Sequence, residues 1–253
     1  MDLDPDLAAL RPLGGFFRLH VVGDPTRDPP RPLPTLAHVY EHRSSDVYGD
    51  PLTFRVRKVN RALRAPEERI GASVAQQGLA ARLWSAALGC AALYGRIPDL
   101  DPRLLLWDPD GSAPDDLWLT EVRSLPGDAA SVASAVLDGH LEPLSAALRA
   151  RHPVAPGLLR GNAASALAAT ARQLELWAHA HDRPDAAARA RDLTAELFAH
   201  PLLTDTGTRT RTAAGPAFRR RSCCLYYRVP GGGVCGDCCF TRPPRSSPNV
   251  PSG

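Results

Sequence analysis

The chain has 253 residues, of which 44% are apolar and 23% charged, with a formal net charge of +3. That length buries a full hydrophobic core, as one large domain or two small ones, and the composition is ordinary for a globular protein. So small a charge gives no basis for a nucleic-acid binder, and no apolar run approaches the roughly 20 residues that cross a bilayer.

The first residues, Met-Asp-Leu-Asp-Pro-Asp, are acidic and lack the apolar core of a signal peptide. The expectation is therefore a cytoplasmic protein whose thiols stay reduced, with contact at the inner face of the membrane left open. Residues 3–13 suit a short helix that Pro12 and Gly14-Gly15 break. Phe16–Val22 is rich in β-formers and reads as a strand, closed by Gly23-Asp24-Pro25. A proline-rich loop follows over 24–34, then a helix over Leu36–Asp46 and another opened by Pro51 over Leu52–Leu63. Glu67–Tyr94 is the clearest helix: Pro66 precedes it, Glu67 and Glu68 suit its positive end, and Gly95 stops it. Ile70, Val74, Ala81, Trp84, Leu88 and Ala91 form its apolar stripe. Its Gly71, Ala72, Ser73, Gly78 and Ala80 are small enough for a neighbouring element to come close.

Leu104–Trp107 and Leu117–Val122 read as the two strands of a hairpin. Asp128 caps a helical segment through Ala150 with a break or kink at Pro143. Pro156 opens a long helix with Leu159, Ala163, Ala166, Thr170, Leu174 and Trp177 on its core face, and Pro184 opens another to about His200. The expected fold is thus mainly α with a few short strands (α+β), a helical domain ending in a cysteine-rich module.

Five of the six cysteines fall within residues 223–239, behind the run Arg219-Arg220-Arg221. From residue 201 onward eight arginines face two aspartates, so this end favours anionic company, either a bound cluster or an acidic partner. Cys235-Gly-Asp-Cys238 is a tight Cys-x-x-Cys turn that aims two sulfurs at one centre. Its companions, Cys223 and Cys224, are adjacent, and consecutive side chains in extended backbone point to opposite sides. Gripping one tetrahedral ion with both is strained, whereas a two-iron cluster offers separated vertices. From spacing alone, an iron–sulfur cluster, zinc and a redox disulfide all stay open. Pro230 and Gly231-Gly232-Gly233 in the ten-residue spacer allow a turn that lays N–H groups against sulfur, and Leu225, Tyr226 and Tyr227 supply a wall.

Other signals are weaker. Cys90 sits among Ala and Leu in a helix and reads as a buried small residue. His179, His181 and His200 read as surface or capping groups. Asp108-Pro-Asp-Gly111 lacks the spaced acids of a calcium loop and reads as a turn. The triple glycine has no strand–turn–helix context or P-loop lysine. Arg82, Trp84, Gly161 and Asn162 read as packing and helix-contact residues.

The run Arg-Arg-Ser-Cys223-Cys224-x10-Cys235-x2-Cys238 resembles the signature of the FhuF-type ferric siderophore reductases, in particular their actinobacterial branch. The resemblance extends to Ile70–Ser85, to His140-Leu-Glu-Pro-Leu144 and to Leu158–Ser165. It implies one [2Fe–2S] cluster held by Cys223, Cys224, Cys235 and Cys238, with Cys239 outside the pattern. It also implies an oxidoreductase of iron homeostasis that reduces hydroxamate-type ferric siderophores by one electron. Arg219, Arg220, Arg221 and Arg228 are then candidate contacts for substrate or donor. No nucleotide-binding fingerprint is present, so electrons come from another protein, a ferredoxin or a flavin reductase. The implied organisation is a scaffold and substrate platform over 1–217, a cluster-binding segment over 218–240 and a disordered tail over 241–253. The rival reading is a non-catalytic module, an iron–sulfur sensor or a zinc-stabilised binding protein. No basic helix-turn-helix supports a nucleic-acid-reading sensor.

Overall fold

The structure is a computed structural model that describes residues 7–23, 29, 31–41, 49–212 and 215–244. The end of the expected 36–46 helix, most of the proline-rich loop at 24–30 and the expected disordered tail from 245 onward lie outside the described residues.

The core is built on one buried helix. Short helices α1 (Leu36–Glu41) and α2 (Pro51–Ala62) lead to α3 (Glu68–Tyr94), which Gly95 ends in the left-handed conformation at φ 67°. Asp50 starts α2, its carboxylate accepting from the backbone N–H groups of Leu52 and Thr53, both at 3.0 Å. The second half of α3 is buried on every side, the pattern of a central helix. Its small residues allow the expected close approach: a Cβ on Gly71 would lie 2.7 Å from the Val56 carbonyl of α2.

The long helix α6 (Pro156–Ala180) runs along α3, and α7 (Pro184–Phe198) packs against both. Trp84 Nε1 donates to the Ala163 carbonyl at 3.1 Å, and the Ser85 and Thr170 hydroxyls meet at 3.2 Å. Arg82 is buried and clamps the N-terminal stretch to the core. It pairs with Asp116 at 2.7 Å and donates to the Arg18 carbonyl at 2.6 Å and to those of Gly15 and Phe16.

That clamp explains a shortfall in the first expected strand. Carbonyls of Gly15, Phe16 and Arg18 are taken by Arg82, and only β1 (His20–Val21) pairs as a strand. It lies parallel to β4 (Leu117–Leu119), which pairs antiparallel with β3 (Leu105–Trp107) as the hairpin reading expected. Two further antiparallel pairs carry little apolar signal in the sequence. These are β2 (Arg96–Pro98) with β5 (Ser124–Pro126), and the hairpin β6 (Gly207–Thr212) with β7 (Gly215–Arg220). Among the described residues, no helix is long and apolar enough to cross a membrane.

The segment after Asp128 is helical but not uniform. It runs as α4 (Ala129–Ala133), a π-helix (Ser134–Leu141) and α5 (Glu142–Arg151). Pro143 offers no N–H and its ring crowds the preceding turn, so the helix widens ahead of it instead of stopping. The π-helix carries His140 into the core, where Nε2 donates to the Leu100 carbonyl at 2.5 Å and Nδ1 accepts from the Tyr40 hydroxyl at 2.8 Å. Burial holds its pKa down to about 4. The unfolded chain protonates near 6.5 while the folded one resists until about 4. Stability should therefore be lost as pH falls through that window, by about 2 kcal/mol between pH 7 and 5. Urea titrations of the parent and His140→Gln at both pH values test this. The extra slope should vanish in the variant, and parallel losses would assign it to another group.

Candidate metal centre

Strand β7 delivers the cysteines. Its last residue, Arg220, donates its backbone N–H to the Asp237 carbonyl at 3.0 Å, which closes a loop containing Cys223, Cys224 and Cys235 and sets Cys238 and Cys239 just past its end. Arg221 N–H bonds the Thr206 carbonyl at 2.8 Å, anchoring the same corner. Past Cys224, Leu225 takes φ 68°, the left-handed region that a branched residue rarely occupies. This reversal turns the chain into the 3₁₀ turn Tyr226–Arg228. The glycine run performs a second reversal. Gly231 has φ 73°, and a Cβ on Gly232 would lie 2.6 Å from the Tyr226 carbonyl. Cys238 N–H to the Cys235 carbonyl at 3.0 Å then closes the Cys-x-x-Cys turn.

These turns gather the thiols. The sulfurs of Cys224 and Cys235 are 3.6 Å apart, close to the roughly 3.8 Å expected for two thiolates at about 2.3 Å on one tetrahedral metal. The Cys223 thiol lies against that of Cys224, and the Cys239 thiol against those of Cys238 and Cys223. Cys235 thus meets Cys224 across the spacer as well as lying near Cys238 of its own turn. Backbone N–H groups do point at sulfur, but from residues two beyond a cysteine and not from the glycine turn that was expected to supply them: Leu225 to Cys223 at 3.2 Å and Phe240 to Cys238 at 3.4 Å.

The surroundings favour the thiolate form at Cys224. Hydrogen bonds from the Cys223 and Cys235 thiols, with the nearby Arg220 guanidinium, hold its pKa far below the usual thiol value. The same contacts push Cys223 and Cys235 up, and burial raises Cys239. Cys224 and Cys238 face inward, whereas Cys223, Cys235 and Cys239 are partly exposed.

Helices α3 and α6 hold this segment from beneath. Ser73 Oγ donates to the Cys224 carbonyl at 2.8 Å, and fully buried Asn162 donates to the Ser73 carbonyl at 2.9 Å. The Asn162 oxygen accepts from Arg220 Nη2. Ser165 donates to the Asp237 carboxylate at 2.6 Å, and Arg172 reaches the same carboxylate at 3.2 Å. Gly161 leaves the space for the whole approach, since a Cβ there would lie 2.1 Å from Ser222 Oγ. Of these supports, the sequence reading took Gly161 and Asn162 as packing residues. Ser73, Ser165 and Asp237 fall within stretches that the sequence reading quotes without giving them a polar role, Arg172 falls outside them, and only their meeting across the fold gives them one.

The four candidate arginines part company. Arg220 is 2% exposed and faces the thiols, out of reach of a docking partner. Arg228 pairs with Glu67 at 2.6 Å, and Arg221 with Asp205 at 2.9 Å on the open surface. Arg219 is exposed and donates to the Cys239 carbonyl at 3.1 Å. His181 caps α6 by bonding the Trp177 carbonyl at 2.8 Å, and His200 accepts from Leu202 N–H at 3.3 Å. Neither joins the cysteines, and Cys90 is fully buried in α3.

Residues 220–240, the stretch from the closing arginine through the last thiol, match the family described as the FhuF 2Fe-2S C-terminal domain. The chain carries a FhuF-type [2Fe–2S] domain. No curated protein and no solved structure matches the chain. The cofactor of the FhuF-type domain is a [2Fe–2S] cluster, and the local chemistry fits one. The thiols form one chain of contacts, from Cys235 through Cys224, Cys223 and Cys239 to Cys238, so sulfur is gathered at one corner of the fold. Arg220 keeps Nε and Nη1 buried without a hydrogen-bond partner. A buried cation with spare donors beside sulfur suits an anionic cluster, whose potential such donors tune.

Proposed function

We propose that this protein reduces hydroxamate-type ferric siderophores by one electron, through a [2Fe–2S] cluster held by Cys223, Cys224, Cys235 and Cys238. The observation that carries the reading is the asymmetry of the thiols. Cys224 and Cys238 face the core, and Cys223 and Cys235 face outward, so one edge of the site is open to a docked chelate. When bound, the cluster supplies single electrons at low potential. Hard oxygen ligands hold Fe(III) tightly and Fe(II) poorly, so one electron loosens the iron without cleaving the chelator. The chain then needs no general acid or nucleophile at the site.

Its residues instead hold and insulate. Ser73, Asn162 and Ser165 fix the backbone and turn of the cysteine segment. Arg220 offsets buried negative charge; in the same segment Val229 is buried and Leu225 packs against the hydrophobic core. Exposed Arg219 and Arg221 are the surface cations left to attract an anionic chelate or an acidic ferredoxin or flavin reductase.

Anaerobic protein reduced with dithionite and mixed with a ferric trihydroxamate tests this. The bleached visible absorption should return in step with one Fe(II) trapped per cluster. A reduced cluster that no ferric chelate reoxidises would leave an electron carrier or sensor. A colourless protein with one zinc would remove the reading altogether.

A further inference from the structure

Beside the cysteine segment, α6, α7 and the β6–β7 hairpin enclose an open cavity of about 290 Å³. Its floor is apolar, with Phe198 and Phe218 packed at 5.3 Å between ring centres. Its charged lining is one-sided: Arg172 and Glu175 from α6, Arg191 from α7, and Arg209 and Arg211 from β6. Four guanidinium groups stand against one carboxylate. Among the described residues, Arg191, Arg209 and Arg211 form no ion pair, and Arg209 instead lies 4.8 Å over the face of Phe198. Like charges gathered around a concave apolar floor repel one another and raise the local potential for an anion.

Two covalent and polar links tie this cavity to the thiols. Arg172 leaves its wall to bond Asp237, the residue just before Cys238, and its Nη1 is buried with no partner. Phe218, in the floor, lies on β7 two residues before Arg220. A ligand seated here therefore rests against the same strand and the same carboxylate that position the cysteine turn.

We propose that this cavity seats a carboxylate-bearing arm of the ferric chelate. The substrate class is then a hydroxamate chelate with free carboxylates and net negative charge, in preference to a neutral or cationic one. This rests on the reductase reading above. The chemistry is direct, because planar guanidinium groups bind carboxylates in a two-pronged manner, and Phe198 and Phe218 take the hydrocarbon of the arm. The volume falls at the low end for small-molecule sites, roughly 300–1,000 Å³, so it accommodates an arm and leaves the metal outside.

Gallium(III) chelates test the site apart from electron transfer, because gallium is not reduced. Calorimetric titration of the holoprotein compares the Ga(III) complex of a trihydroxamate with pendant carboxylates not used on the metal, the corresponding neutral Ga(III) trihydroxamate, and metal-free citrate. The carboxylate-bearing complex should bind at least about tenfold more tightly than the neutral one. Arg191→Gln combined with Arg211→Gln should erase that preference with the visible spectrum unchanged, and Glu175→Gln should increase it. Equal binding of both complexes, or a preference that survives the double substitution, overturns the proposal. Citrate binding as tightly as the chelate overturns it too, since the site would then serve free organic acids. The two readings fail separately. Gallium binding that follows the arginines without reduction of the ferric form removes the reductase activity alone. Reduction indifferent to carboxylates and to the arginines removes the cavity alone.

Discussion

Cys224→Ser and Cys235→Ser are each expected to abolish the visible absorption of the purified protein and reduce its iron to near zero. The two sulfurs sit 3.6 Å apart across the ten-residue spacer, at the separation that two thiolates take on one metal. A serine hydroxyl is a poorer anion and forms a shorter bond, so it neither carries the charge nor spans the gap. Cys223→Ser and Cys238→Ser should also lose or distort the cluster. Cys239→Ser should keep it, because that thiol falls outside the pattern Cys223-Cys224-x10-Cys235-x2-Cys238. The position of Cys239 against both Cys223 and Cys238 makes it the natural substitute when either is lost. Residual colour in Cys238→Ser should therefore disappear in Cys238→Ser combined with Cys239→Ser. Metal analysis and visible spectra of the anaerobic proteins decide the point. A normal spectrum in Cys235→Ser would overturn the ligand set.

Arg220→Leu should be the most damaging change outside the cysteines. The side chain is buried, donates to Asn162 and lies beside Cys224 and Cys235. Removing it strands the buried thiolate charge and leaves the Asn162 oxygen unsatisfied. Breaking one side of a buried charge interaction costs about 3–5 kcal/mol, enough to unfold a marginal segment. If cluster survives, its midpoint potential should move to a more negative value, because a nearby positive charge favours the more reduced, more anionic state. Arg220→Lys keeps the charge while losing the planar fork, and should recover much of the potential and less of the stability. Denaturant melts together with a redox titration separate the two effects. An unchanged potential in Arg220→Leu would make the residue a structural prop only.

Much of the helical frame is legible in the residues. Pro51, Pro156 and Pro184 open helices where a missing N–H costs nothing, and Gly95 ends the central one at positive φ. Those signals are local, acting within a turn of the residue that carries them. The strands were less legible. Phe16–Val22 has strand composition, yet its carbonyls go to a buried arginine some sixty residues away. β6 reads Gly-Thr-Arg-Thr-Arg-Thr, with no apolar face to announce it, and becomes a strand because β7 lies opposite.

The cysteine segment divides in the same way. Its residue types, its spacing and the glycines that permit two chain reversals are properties of one short stretch; by themselves they leave iron–sulfur, zinc and a redox disulfide open, and the match of that stretch to the FhuF 2Fe-2S C-terminal domain decides for the cluster. The cross-spacer pairing of Cys224 with Cys235 was decided only by the fold. So was the inward turn of Arg220, which separates it from the exposed arginines on either side. Neither follows from sequence distance, because each depends on α3 and α6 bringing Ser73, Gly161 and Asn162 beneath a loop that lies well away from them along the chain. Hydrogen bonds and steric fit between distant segments have no local code. Only the packed structure supplies them.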